Sequence, residues 1–219
     1  MAETESKSRE LHDTADAPWE ATGAGVERKP IASANPGPAD ETFLCRLAPG
    51  ASLPAPPAGS GFELFVLEGE LQLQGGPLRK HGYARLPGEV LEELSSTPGC
   101  TLFVKSGPFA KGDSESISLQ AGDDPWLPGQ GGLEVKPLHS FEGQGAALVH
   151  WPAGERFLPH QHWGGEEILV LSGTFKDEHG EYPTGTWILS AHASKHHPFV
   201  TEETVIFVKT GHLPIAYPK

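Results

Sequence analysis

Two histidines stand one residue apart in the segment GERFLPHQHWGGEEILVLSG (residues 154–173), with a carboxylate four residues beyond the second and a glycine seven residues after that. In an extended strand alternate side chains share a face, so His160 and His162 project together and offer two neutral imidazoles to one cation. Glu166 lies across the short Trp163-Gly164-Gly165 turn, where the next strand can add a carboxylate oxygen, and Gly173 marks where that strand turns. Nitrogen donors with one oxygen suit Zn, Fe, Mn or Ni better than Ca or Mg. An isolated His-x-His pair is usually only a solvated pair; here the glycines and the glutamate are in register with it. Glu167, the competing carboxylate, has the opposite parity and is expected to face away from the histidines.

The pattern Gly154, His160, His162, Glu166 and Gly173 resembles the first cupin motif, G-x5-H-x-H-x3-E-x6-G, at every defined position. The second cupin motif, P-x-G-x2-H, is met by Ala191-His192-Ala193-Ser194-Lys195-His196, with alanine at both the proline and the glycine position. That makes His196 the fourth ligand, with His192 and His197 as alternatives if the loop shifts. Between the motifs, GTFKDEHGEYPTGTW (173–187) resembles the cupin domain of the ChrR anti-sigma factors. That resemblance implies a small β-barrel holding zinc through His160, His162, Glu166 and His196. The ChrR regulators also carry an N-terminal zinc-binding helical domain built on a histidine and cysteines. Residues 1–40 contain His12 and no cysteine, so anti-sigma activity does not transfer.

The elements that must position these residues are strands. Glycine and proline together make 48 residues, in short clusters between β-rich runs, the signature of many short strands and turns. Strands are expected from Thr42 (TFLCRLAPG, 42–50), then over 62–68, 71–74, 84–86 and 101–105, and, after a polar connector at 111–124, over 133–138, 146–151, 168–171, 187–189 and 204–209. The two series repeat. FELFVLEGEL (62–71) aligns with EEILVLSGTF (166–175), placing Gly69 over Gly173, and TLFVKSG (101–107) aligns with TVIFVKTG (204–211). A period of about a hundred residues points to a duplicated domain. The expected fold is all-β: two tandem cupin (double-stranded β-helix, jelly-roll) barrels, the first degenerate. Domains are expected at 41–110 and 125–219, after an acidic, largely flexible arm over 1–40 in which the IASANPG stretch adds an edge strand. In the first barrel the ligand positions fall on Pro56, Ala58, Phe62 and Leu91, so it binds no metal and its interior is apolar.

A formal charge of −13 disfavours nucleic acid and anionic membranes as partners. No apolar run is long enough to span a bilayer, and the polar, acidic N-terminus does not read as a signal peptide. Cys45 and Cys100 are too few for a disulfide framework and read as reduced thiols of a cytoplasmic protein, or as a single pair. His139, His150, His179 and His212 read as solvated or hydrogen-bonded. Asp177 and Glu178 read as caps of a hairpin, and Trp163 as a candidate for the mouth of the site. Lys195 can attract an anionic substrate or simply be solvated.

Two functions follow as expectations. In one, the chain is a mononuclear metal-dependent dioxygenase, or a related enzyme, acting on a chelating ketone or diketone through one divalent metal per chain, Fe(II) or Zn, with Mn or Ni as alternatives. In the other it is a non-catalytic ChrR-like zinc sensor. The implied partner is a small molecule, and assembly into a homo-oligomer is compatible with either.

Overall fold

The computed structural model describes residues 9–31, 41–88, 93–107 and 109–215. The chain divides into two compact units, one made of Ala17–Asp124 and the other of Met1–Asp16 together with Pro125–Lys219. Each is a curled antiparallel sheet of the kind found in tandem cupin jelly-rolls. Among the described residues, no helix is long and apolar enough to cross a membrane.

In the second unit the sheet runs, in spatial order, through Arg9–Asp13, Thr186–Ser190, Glu166–Ser172, Thr204–Thr210, Gln144–Trp151, Glu134–Phe141 and Leu127–Pro128. Its central strands do not alternate between buried and exposed: Thr186–Ser190 is buried at every position, and so are the first five residues of Glu166–Ser172. Val, Ile, Leu and Trp dominate because both faces are covered. Ile168, Val170, Phe175, Tyr182, Ile188 and Ile206 form the interior cluster.

The other unit repeats this order with Ile117–Leu119, Tyr83–Leu86, Phe62–Leu73, Cys100–Ser106, Glu41–Leu47, Val26–Ile31 and Glu20–Gly23. The two expected segments at 62–68 and 71–74 are one continuous strand. Phe62, at the position of Glu166, is 1% exposed and belongs to an apolar cluster with Phe43, Leu64, Leu71 and Leu102. Leu91 and most of the IASANPG segment lie outside the described residues.

The repeat extends to its turns. Gly69 and Gly173 both sit at positive φ, +77° and +74°, and a Cβ at either would collide with the backbone carbonyl of Gly99 or Glu203. Only glycine meets both demands. It extends also to the back of the sheet. Glu167 faces away from the histidines, as its parity requires, but it does not reach solvent: it is fully buried, accepting a hydrogen bond from Trp187 Nε1 at 2.7 Å and contacting His212 Nε2 at 3.1 Å. Its counterpart Glu63 accepts one from Tyr83 at 2.7 Å. A buried carboxylate needs such donors.

A largely flexible arm does not describe residues 9–31, which form three strands, Arg9–Asp13, Glu20–Gly23 and Val26–Ile31. Arg9–Asp13 pairs with Thr186–Ser190, and Thr14 fixes its end by donating from its hydroxyl to the Gly185 carbonyl at 2.6 Å. The edge of Thr186–Ser190 that does not pair with Glu166–Leu169 supplies hydrogen bonds that a polar sequence can accept without an apolar face. The connector is likewise structured, with Ile117–Leu119 paired to Tyr83–Arg85 and Asp113 in a buried ion pair with Arg85. Cys45 and Cys100 are free and buried, and burial pushes the Cys45 thiol up to about 12.

Candidate metal centre

His160 lies on the two-residue strand His160–Gln161, directly opposite His196 on Lys195–His196. His162 follows, and its backbone is tied to the facing loop from both sides: His162 N donates to the Ser194 carbonyl at 3.1 Å, and Ala193 N donates to the His162 carbonyl at 2.9 Å. The chain then reverses through Gly164 and Gly165, φ +72° and +73°, each so close to neighbouring atoms that a side chain would clash. This turn delivers Glu166 to the start of the central strand.

The result is convergence. One donor atom from each of His160, His162, Glu166 and His196 falls within 4.8 Å of the others. His162 Nε2 and His196 Nε2 are 2.9 Å apart, His196 Nε2 and His160 Nε2 3.3 Å. Glu166 Oε2 is 3.4 Å from His162 Nε2 and 3.5 Å from His196 Nε2. Ligand atoms at ~2.1 Å from one cation are separated by roughly 3.0 Å at a right angle and roughly 3.4 Å at the tetrahedral angle. These spacings fit a first coordination sphere. Glu166 Oε2 is buried with no hydrogen-bond donor among the described residues, the condition of a carboxylate oxygen that a cation would satisfy.

Protonation agrees. Burial, reinforced by His196 and His160, pulls the His162 pKa down to about 3, and burial likewise lowers His160. Both rings are therefore neutral near pH 7 and keep a lone pair for a metal. Burial raises Glu166 to about 7 against the opposing pull of His196 and Arg9; a divalent cation would restore its charge.

The outer nitrogens of two rings are held. His160 Nδ1 donates to the Leu158 carbonyl at 2.9 Å, leaving Nε2 as the acceptor. His196 Nδ1 faces Asp177 Oδ2 at 3.4 Å. Asp177 caps the hairpin as expected, accepting from His179 N at 2.8 Å, but it also takes Tyr182 Oη at 2.9 Å and Arg9 Nη1 at 2.7 Å. Burial works to raise its pKa; the bonds from His196 and Arg9 outweigh that and hold it below the usual carboxylate range. Neither Arg9 nor this role of Asp177 was visible in the sequence, because the strand carrying Arg9 is some 170 residues from its partners.

His192 and His197 stand outside the cluster. His192 Nδ1 accepts a hydrogen bond from Gly164 N at 3.0 Å and packs edge-on against Trp163, bracing the glycine turn. His197 donates its backbone N–H to Glu178 at 2.8 Å. Trp163 is 65% exposed beside the histidines, whereas Trp151 and Trp187 are buried packing residues. Ala193, at the glycine position of the second motif, adopts φ +64°. An L side chain in that region costs about 1–2 kcal/mol, so Ala193→Gly is expected to raise stability by about 1 kcal/mol in a denaturant titration without loss of the site's histidine geometry.

A double jelly-roll in which, among the described residues, a single unit carries a three-histidine, one-glutamate cluster that could hold a metal defines a two-domain cupin. The family is more specific: the profile described as the ChrR Cupin-like domain matches residues 7–110 and again 114–214, and the chain belongs to that family, carrying it twice. The first strand of each copy pairs with the other copy: Arg9–Asp13 with Thr186–Ser190, and Ile117–Leu119 with Tyr83–Arg85. None of the curated proteins matches significantly. Among solved structures, a candidate dioxygenase of Nostoc punctiforme shares 16% identity at a TM-score of 0.75, covering 97% of this chain and 88% of its own. A candidate glyoxylate-induced protein of Pseudomonas aeruginosa shares 13% at a TM-score of 0.75, covering 97% and 92%. An oxalate decarboxylase of Lactobacillus farciminis shares 13% at 0.68, covering 94% and 86%. At these identities the likeness is one of fold.

Proposed function

We propose that His160, His162, Glu166 and His196 hold one divalent transition metal and that the chain is a metal-dependent cupin enzyme acting on a small chelating oxygen compound of the ketone or diketone type, with dioxygen as co-substrate when the metal is iron. The observation that carries this reading is the meeting of four donor atoms around the orphaned Glu166 Oε2. A cation bound there supplies Lewis-acid polarisation of a chelating substrate and, if iron, one-electron chemistry.

The protein's own contribution is positioning. His160 and His162 stay neutral, Leu158 and Asp177 fix the rings of His160 and His196, and Glu166 offsets one of the two positive charges. Leu158 and Trp163, 69% and 65% exposed, flank His160 and His162 in sequence and offer apolar surface that a ketone can approach.

Metal analysis of untagged protein purified without oxygen tests this directly. About one iron per chain, with oxygen uptake on β-diketones or phenolic ketones, is the expected result. One tightly held zinc and no turnover would move the protein to the ChrR-like sensor reading; no metal would end both.

A further inference from the structure

The row of residues crossing the sheet at the metal site does not stop at Glu166. Glu166 is directly opposite Ser190, and Ser190 is directly opposite Arg9, so the three side chains lie on one face of three neighbouring strands. A cavity of about 60 Å³ opens beside this row, lined by Arg9, His179, Ser190, Ser194, Lys195 and His196. Its wall carries two cations and two hydroxyls, and no carboxylate.

Arg9 is held in place there. Its Nη1 is committed to Asp177 at 2.7 Å, and its guanidinium stacks over the Tyr182 ring at 4.8 Å. The other edge is not committed: Nε and Nη2 are buried without a hydrogen-bond partner among the described residues, as is Ser194 Oγ. Those two nitrogens form the side-on fork that receives both oxygens of a carboxylate. A buried, orphaned fork costs stability unless a ligand meets it. The other unit, whose ligand positions are apolar, lacks this feature too: its corresponding edge strand Ile117–Leu119 and the three residues before it, Ser114-Glu115-Ser116, contain no arginine.

We infer that this cavity is a carboxylate subsite: Arg9 takes the anionic end of a chelating ketone that carries a carboxylate, with Ser194 and Lys195 as further donors, so that a small oxo-acid is preferred over a neutral ketone. This rests on the metal reading only for the placement of the substrate's other oxygen. The charges agree with it. A divalent cation, Glu166, the Arg9–Asp177 pair and Lys195 together leave an excess of positive charge for an anion to balance.

Pyruvate and its neutral methyl ester are the probes, titrated calorimetrically into the full chain as purified and after chelation with EDTA. Pyruvate is expected to bind at least tenfold more tightly than methyl pyruvate, and to bind still, more weakly, after EDTA. Arg9→Lys retains the charge beside Asp177 but loses the fork; it is expected to weaken pyruvate at least tenfold at unchanged circular dichroism. Ser194→Ala and Lys195→Gln, which leave the Arg9–Asp177 pair intact, are expected to weaken it severalfold, so the test survives if the Arg9 variant does not fold. Equal binding of acid and ester, or pyruvate binding indifferent to Ser194 and Lys195, overturns the subsite. Arg9-dependent binding of pyruvate to a protein that takes up no metal, as purified or after incubation with Fe(II), Zn, Mn or Ni, would instead overturn the metal reading and leave this one standing.

Discussion

Replacing His162 by alanine is expected to lower the affinity for zinc or Fe(II) on the order of 100-fold or more, while the metal-free protein keeps its stability to within about 1 kcal/mol. The two halves of this expectation have one cause. His162 is 8% exposed and its Nε2 faces two other imidazoles and a carboxylate, none of which is a good partner without a cation between them. The displaced pKa values, His162 down to about 3 and Glu166 up to about 7, are the mark of groups buried at a cost. Deleting one ring removes some of that cost along with its packing. With metal the balance reverses: a cation at a thousand times its dissociation constant adds about 4 kcal/mol to the native state, and the variant cannot collect it. Competition against a chromophoric chelator reads the affinity, and melting with and without EDTA reads the stability. A wild-type melting temperature indifferent to EDTA, or a His162→Ala protein that keeps its metal, would sink the ligand set.

How much of this was legible in the residues follows from the range of the interactions. The 160–166 cluster was readable because strand parity is local: one residue between histidines puts both rings on one face, and the glycines fix where the strands turn. The duplication was readable because Gly69 and Gly173 meet the same carbonyl clash in both units. Glu167 was half readable: parity gave its face, but not that Trp187 and His212 would bury it. The strand Arg9–Asp13 was not readable, since RELHD has neither alternation nor β-branched residues, and its stability comes from an edge supplied by Thr186–Ser190. Everything that depends on that strand, the Arg9–Asp177 pair and the cavity beside it, was hidden for the same reason. The second motif shows the converse. Alanine stands where the pattern has glycine, and the backbone adopts the left-handed turn regardless, because the hydrogen bonds from His162 N to the Ser194 carbonyl, from Ala193 N to the His162 carbonyl and from Ser194 N to the Ala191 carbonyl impose it.

Asp177 is where a single change should cost the most stability. Its side chain has no exposure, is ion-paired with Arg9 and accepts from Tyr182 and the His179 amide while facing His196 Nδ1. Alanine leaves the Arg9 guanidinium, only 16% exposed, without its counter-charge. Breaking one side of such a pair costs about 3–5 kcal/mol, and releasing the His196 ring is expected to weaken metal binding about 10–100-fold. Because the native carboxyl is held below its ordinary range, its contribution is complete above the unfolded carboxylate pKa and is lost as pH falls through the native one. The stability gap between wild type and Asp177→Asn should therefore be full at neutral pH and close only in strong acid, a trend that urea titrations at stepped pH would show. A gap that widens on acidification would contradict the assignment. The double variant Arg9→Met/Asp177→Leu separates the two roles. Replacing a buried ion pair by apolar residues of similar volume is often neutral or stabilising, so stability should largely return. Nothing in that variant orients His196 Nδ1, so the metal affinity should not. If both recover together, Asp177 serves packing alone, and the orientation of His196 must come from its pairing with His160.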